Sequence, residues 1–182
     1  MASCHTKHKV QRFQGNALGT TYNVVYFDTT PNAIIADSID AVILRMNQSM
    51  STYWPNAIIS KVNRNESVTT DADFKKVFLT AKTIWKQTEG YFDPTVGALV
   101  NAYGFGPAKS LEQIDQSVVD SLLNLTGLEK VSLLPDGTIK KAHKNTYLDF
   151  NAIAKGYAVD ALASMLRSLG YDQYLVCLLY TS

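Results

Sequence analysis

With 182 residues, 46% of them hydrophobic and 18% charged, the chain is long enough to bury a real core and has the composition of a globular protein, not a disordered one. A formal net charge of +1, with no dense Lys or Arg run, argues against a nucleic-acid partner. No window approaches the ~20 continuous apolar residues of a membrane helix. Two cysteines, Cys4 and Cys177, stand at opposite ends and form neither a disulfide framework nor a metal knuckle. His5, Lys7, His8, Lys9 and Arg12 make residues 1–13 a mildly basic, solvated tail with no assigned partner.

Residues 10–16 and 20–28 are rich in β-branched and aromatic side chains and predict two strands that meet near residues 15–19. Pro31 suits a first helical turn, after which Ile35, Ile39, Val42, Ile43 and Met46 recur at helical spacing. Residues 57–65 read as a short helix or turn. Asp71 is placed to cap a second long helix with a buried stripe of Phe74, Val77, Phe78, Ala81, Ile84 and Trp85, ended by Gly90. A third helical segment is expected over 117–125, closed by Gly127. Residues 130–134 and 138–142 then flank Pro135-Asp136-Gly137, a hairpin signal.

The richest stretch runs from Tyr147 to Asp160. An apolar strand-like run through Leu148 and Phe150 breaks into a short loop and reopens as a helix, with Ala154, Ala158, Ala161, Leu162, Met165, Leu166 and Leu169 on one face and Gly170 as its stop. The first turn of such a helix carries unpaired N–H groups and the positive end of the dipole, which suits phosphate or pyrophosphate. Lys155 would add charge, and Asp149 would face the ligand from the strand end. Taken alone, the segment reads more readily as ordinary surface, with Lys155 a solvent-facing cap residue and Asp149 a turn former. Residues 174–180 are almost wholly apolar, as expected of a strand covered on both faces. The pattern is one mixed α/β domain without repeats.

Leu18-Gly19-Thr20-Thr21-Tyr22, Met50-Ser51-Thr52-Tyr53-Trp54, the Gly90 to Asn101 segment with Tyr91-Phe92-Asp93-Pro94, Tyr103-Gly104-Phe105-Gly106-Pro107 and the Tyr147 to Asp160 stretch occur in that order. The ordered set resembles the ApbE family of FAD:protein FMN transferases. That resemblance implies an α+β core related to the T-fold, with antiparallel strands and packed helices, over residues 14–176. Residues 177–182 match nothing in the pattern, so the chain is expected to be the N-terminal part of a longer protein.

The resemblance further implies FAD contacts at Leu18 (commonly methionine in the family), Tyr53, Tyr91, Phe92, Asp93, Asp149 and Lys155. The backbone carbonyl of Ala152 is implied as a ligand of magnesium. An aromatic such as Tyr53 or Phe92 can equally pack in a core, and the Gly104 to Pro107 segment can be simply a tight turn. The implied reaction moves FMN from FAD to a threonine of an acceptor protein and releases AMP. No catalytic residue is expected here, so this stretch should be inactive alone. The family also implies an exported, periplasmic lipoprotein of the inner membrane, which makes Cys4 either a lipidated cysteine or a chance terminal one. Two rival readings are a module that binds FAD without chemistry and a fragment with no stable pocket.

Overall fold

The computed structural model describes residues 9–179, so Cys4 and the end of the chain past Leu179 lie outside the described residues. In chain order the elements are strands β1 (Lys9–Ala17) and β2 (Thr20–Asp28), helices α1 (Ala33–Met50), α2 (Ile58–Asn63), α3 (Ala72–Gln87), α4 (Gly97–Ala102) and α5 (Gln116–Leu123), a 3-10 turn at Leu128–Lys130, strands β3 (Val131–Leu133) and β4 (Ile139–Lys141), helix α6 (Asn151–Ser168) and strand β5 (Tyr174–Leu179). This is the mixed α/β architecture expected, with antiparallel sheets and helices. The described chain divides into two compact units, one formed by its ends, up to Arg45 and from Lys155 onward, and one formed by Met46–Ala154.

In the first unit β2 is central, with β1 and β5 antiparallel on its two sides. Residues 9–13, expected as tail, belong to β1, because Lys9 already pairs with Asp28. Cys177 likewise continues β5, opposite Asn23. β1 and β2 meet in a two-residue turn, and both central residues, Leu18 (φ 51) and Gly19 (φ 72), have positive φ. A type I′ turn needs this to match strand twist; Gly19 adopts it freely, whereas Leu18 crowds its own Cβ. Leu18→Asn should therefore raise the unfolding free energy by about 1 kcal/mol, read as a higher urea midpoint at unchanged slope. A lower midpoint would show that burial of the leucine outweighs the strain.

An aromatic knot fastens the start of α1. Tyr26 stacks on Phe13 and meets Tyr171 edge-on, and its hydroxyl accepts from the Asn32 N–H at 3.0 Å. Asn32 is the cap, accepting from Ile34 N–H at 3.0 Å, so Pro31 precedes the helix instead of opening it. The expected stripe of Ile35, Ile39, Val42 and Met46 is buried. The expectation of a last strand covered on both faces is not met among the described residues: Leu175 is 60% exposed and Val176, Cys177 and Leu178 are only half-buried, while β5 pairs along one edge with β2. An apolar run reports what a strand can bury, not whether a neighbour is present.

In the second unit Asp71 caps α3 by accepting from Phe74 N–H at 2.7 Å, and Phe74, Val77, Phe78 and Ala81 are buried as the spacing predicts. Phe74 meets Phe150 edge-on, centroids 5.2 Å apart. α5 starts one residue early because Asp115 accepts from Val118 N–H. The hairpin forms as expected, with Asp136 accepting from Thr138 N–H at 2.9 Å. The strand expected over 147–150 is reduced to one parallel bridge between Tyr147 and Val96. No loop follows it: α6 begins at Asn151, and the Phe150 carbonyl already accepts from Ile153 and Ala154 N–H. From Lys155 on, α6 belongs to the first unit, where Ala158, Leu162 and Leu166 supply its buried stripe and Leu169, expected on it, is 40% exposed.

Candidate functional site

Residues 147–149 have no strand neighbour of ordinary kind, so their backbone groups must find other partners or stay unsatisfied. Asn63, the last residue of α2, takes that place: its side-chain nitrogen donates to Leu148 O at 2.9 Å and its oxygen accepts from Leu148 N–H at 2.8 Å. One amide thus mimics a strand partner. On the other side Asp149 N–H donates to Pro94 O at 2.7 Å. That bond sets the Asp149 segment directly on the turn that enters α4.

Gly97 makes the approach possible. A Cβ built there would stand 2.5 Å from Tyr147 Cδ1, 2.8 Å from Tyr147 O and 3.3 Å from Asp149 Cβ, so any side chain would push the two segments apart. The Tyr147 phenol is raised above its ordinary pKa mainly by burial, while hydrogen bonds with Asn101 and Asn63 pull it the other way.

Asp93 organises the same turn. Its Oδ1 accepts from Thr95 N–H at 2.8 Å and from the Thr95 hydroxyl at 2.5 Å. Its Oδ2 accepts from Trp85 Nε1 at 3.0 Å and from Leu128 N–H at 3.1 Å. The Thr95 hydroxyl in turn accepts from Gly127 N–H at 2.7 Å. α3, the 93–97 turn and the 127–128 turn are therefore held by one carboxylate, and a ligand meeting this residue meets its backbone or the residues it positions. Next to it Phe92 is half-buried, with its N–H on the Thr88 hydroxyl at 3.1 Å, while the Tyr91 ring is 97% exposed.

Asp149 is buried, and its carboxylate turns onto α6 instead of pointing outward from a strand end: Oδ1 accepts from Asn151 N–H at 2.7 Å and Oδ2 from the Asn151 side chain at 3.1 Å. One of the N–H groups expected to await an anion is thereby satisfied from within. Ala152 lies exposed in the first turn of α6. Among the expected contacts, Tyr91, Phe92, Asp93, Asp149 and Ala152 are carried by segments of the second unit that the Asp149–Pro94 bond ties together. Tyr53 is in the same unit, its hydroxyl donating to Phe105 O at 3.2 Å. Leu18, in the β1–β2 turn, and Lys155, in the second turn of α6, belong to the first unit.

The Ala152 carbonyl, the group the resemblance gives to magnesium, is a hard oxygen donor of the kind that ion prefers, and its residue is exposed in the first turn of α6. Among the described residues no three His, Cys, Asp or Glu side chains converge.

A separate cleft of about 470 Å³ lies against Val62, Asn65, Glu66, Asp136 and Lys141, none of them an expected contact. The Lys141 amine donates to Asn63 O at 3.1 Å and Thr146 O at 2.9 Å, and burial lowers its pKa from 10.5 to about 8. Because the folded chain binds fewer protons than the unfolded chain between these values, burial opposes folding fully below about pH 8 and less as pH rises to 10.5. The difference in unfolding free energy between wild type and Lys141→Met should accordingly grow in favour of wild type across that window. A flat difference would show that the amine is solvated as freely as an ordinary lysine.

Asn63, Thr95 and Gly97 carry this geometry without having been singled out for any role in the sequence. Gly97 offered a visible signal, a glycine inside an apolar run, whereas an asparagine ending a short helix offered none.

A family model described as the ApbE family matches residues 18–178, which includes Cys177 and Leu178. The FAD:protein FMN transferase of Haemophilus influenzae is 36% identical over 190 aligned positions, 97% of this chain and 54% of that protein. The one of Vibrio cholerae is 32% identical over 97% of this chain and 54% of its own. Among solved structures, the flavin transferase ApbE from Vibrio cholerae superposes with a TM-score of 0.87 at 29% identity, covering 93% of this chain and 57% of that one. The ApbE protein from Thermotoga maritima gives 0.82 at 25% identity, with 93% and 57% covered. The chain spans about half the length of the curated relatives it matches.

Proposed function

The chain belongs to the ApbE family, and from that premise we propose that it forms the FAD-binding part of a flavin transferase that moves FMN from FAD to a threonine hydroxyl of an acceptor protein. The observation that carries this reading is the match to named FAD:protein FMN transferases over 97% of the chain. In the reaction the threonine oxygen bonds to the FMN phosphorus, the bond from that phosphorus to the AMP oxygen breaks, AMP leaves, and the hydroxyl proton passes to base or solvent. Such chemistry depends mostly on positioning and charge neutralisation.

On this reading Leu18, Tyr53, Tyr91 and Phe92 offer apolar surface to the ring systems. Asp93 and Asp149 hold the two turns that face the dinucleotide, and Lys155 offers a cation to the diphosphate. Leu18 then keeps a strained conformation because its side chain touches flavin. The Ala152 carbonyl would hold magnesium, which when bound would withdraw charge from the breaking phosphate bond. These residues are about half of each relative, so the reading expects FAD binding from this chain and no transfer by it alone.

Thermal unfolding with FAD, each with and without magnesium, tests this. A ligand that binds only the folded state raises the midpoint, and the rise should vanish in Lys155→Ala. A midpoint indifferent to FAD would sink the reading. Binding that ignores magnesium would favour the alternative, a module that holds FAD without chemistry. The same reading places the protein outside the cytoplasm, attached to the membrane through a lipidated cysteine such as Cys4. Cell fractionation of a Cys4→Ser variant should then find it released from the membrane.

A further inference from the structure

Phe105, in the second unit, is an exposed aromatic on a loop whose backbone is held in place. Its ring is 77% exposed, yet its backbone is fixed at both ends: its N–H donates to Val100 O at 3.0 Å and its carbonyl accepts from the Tyr53 hydroxyl at 3.2 Å. The flanking glycines hold the same loop. Gly104 sits at φ +82, where side chains are strained, and Gly106 presses on the side chain of Asn101 so closely that a Cβ would collide with it. An exposed phenylalanine on a frayed loop would mean little; one held out by a fixed backbone presents a flat apolar face at low entropic cost to whatever covers it. Tyr53, itself 58% exposed, is tied to that backbone by its hydroxyl, so a second exposed aromatic side chain is anchored to the same loop.

We infer that Phe105, with Tyr53 beside it, is the stacking platform for one of the two flat ring systems of the dinucleotide, isoalloxazine or adenine. This rests on the FAD-binding reading above and deepens it, because that reading needs a surface for each ring and leaves Phe105 without a role. Neither residue carries charge, and a neutral π face recognises ring over phosphate.

Isothermal titration of wild type, Phe105→Ala and Phe105→Tyr with FAD, FMN and AMP separates the outcomes. Truncating an exposed ring should leave the melting midpoint of the free protein unchanged. Phe105→Ala should weaken FAD about tenfold, the loss of one stacked ring, and Phe105→Tyr should restore it. The loss should appear for FMN or for AMP, and the affected ligand names the ring. FAD affinity unchanged in Phe105→Ala, as expected if the ring serves a protein contact instead, overturns the platform and leaves the FAD-binding reading standing. An equal loss for FMN and AMP also overturns it, since one ring cannot stack on both. No binding of FAD by wild type overturns the parent reading and this inference with it.

Discussion

Asp93→Ala should lower the unfolding free energy by about 4 kcal/mol, because the carboxylate is the common acceptor for donors that would otherwise be stranded. Trp85 Nε1, Leu128 N–H, Thr95 N–H and the Thr95 hydroxyl all end on its two oxygens. Each buried donor left without a partner costs ~1–3 kcal/mol, reduced where water can reach, as it can at the half-buried Trp85. For a chain of this length the loss corresponds to a fall of about 12 °C in the thermal midpoint. Asp93→Asn is the sharper test. An amide can keep the Thr95 pair on its oxygen, but its nitrogen then faces two donors, Trp85 Nε1 and Leu128 N–H. The amide should therefore recover little of the loss. An Asn variant as stable as wild type would show that the carboxylate is not the acceptor these distances describe.

Gly97→Val should cost about 3 kcal/mol, near the upper end of what overpacking does, because one of the obstructing atoms belongs to the backbone. A side chain can swing away from a new methyl group; the Tyr147 carbonyl, 2.8 Å from where a Cβ would be, can yield only by moving the segment. That segment is held by Asn63 on Leu148 and by Pro94 on Asp149, so relief of the clash strains those bonds. Urea unfolding should show the lower midpoint at unchanged slope. Because the displaced residues include Asp149, FAD binding by this chain should weaken as well. A Gly97→Ala variant of wild-type stability would mean that α4 and the 147–149 segment slide past each other freely.

Both effects arise where local pattern carried the least information. Helices α1, α3 and α6 were legible because their apolar residues recur on one face, and that period depends only on the geometry of a helix. Asp71 was legible as a cap for a similar reason, since its partner, Phe74 N–H, is three residues away. The strand over 147–150 was misread because apolar residues say that a segment is buried, not that a second strand lies within bonding distance. Its partners, Asn63 and Pro94, are separated from it by 85 and 55 positions, and no periodicity spans such gaps. The same holds for Leu128, which comes to Asp93 from 35 positions away.

The sequence by itself determined the amphipathic helices, the two hairpins, the antiparallel character of the fold and, through its ordered motifs, the family. These are properties of near neighbours or of residue identity. Only the tertiary structure decided that Asp93 and Asp149 direct their carboxylates inward, that the last strand is half-exposed, that Gly97 stands where two backbones meet, and that Phe105 is held outward by a fixed loop. Each depends on which distant group supplies a donor, an acceptor or empty space, and long-range closure of the chain settles that.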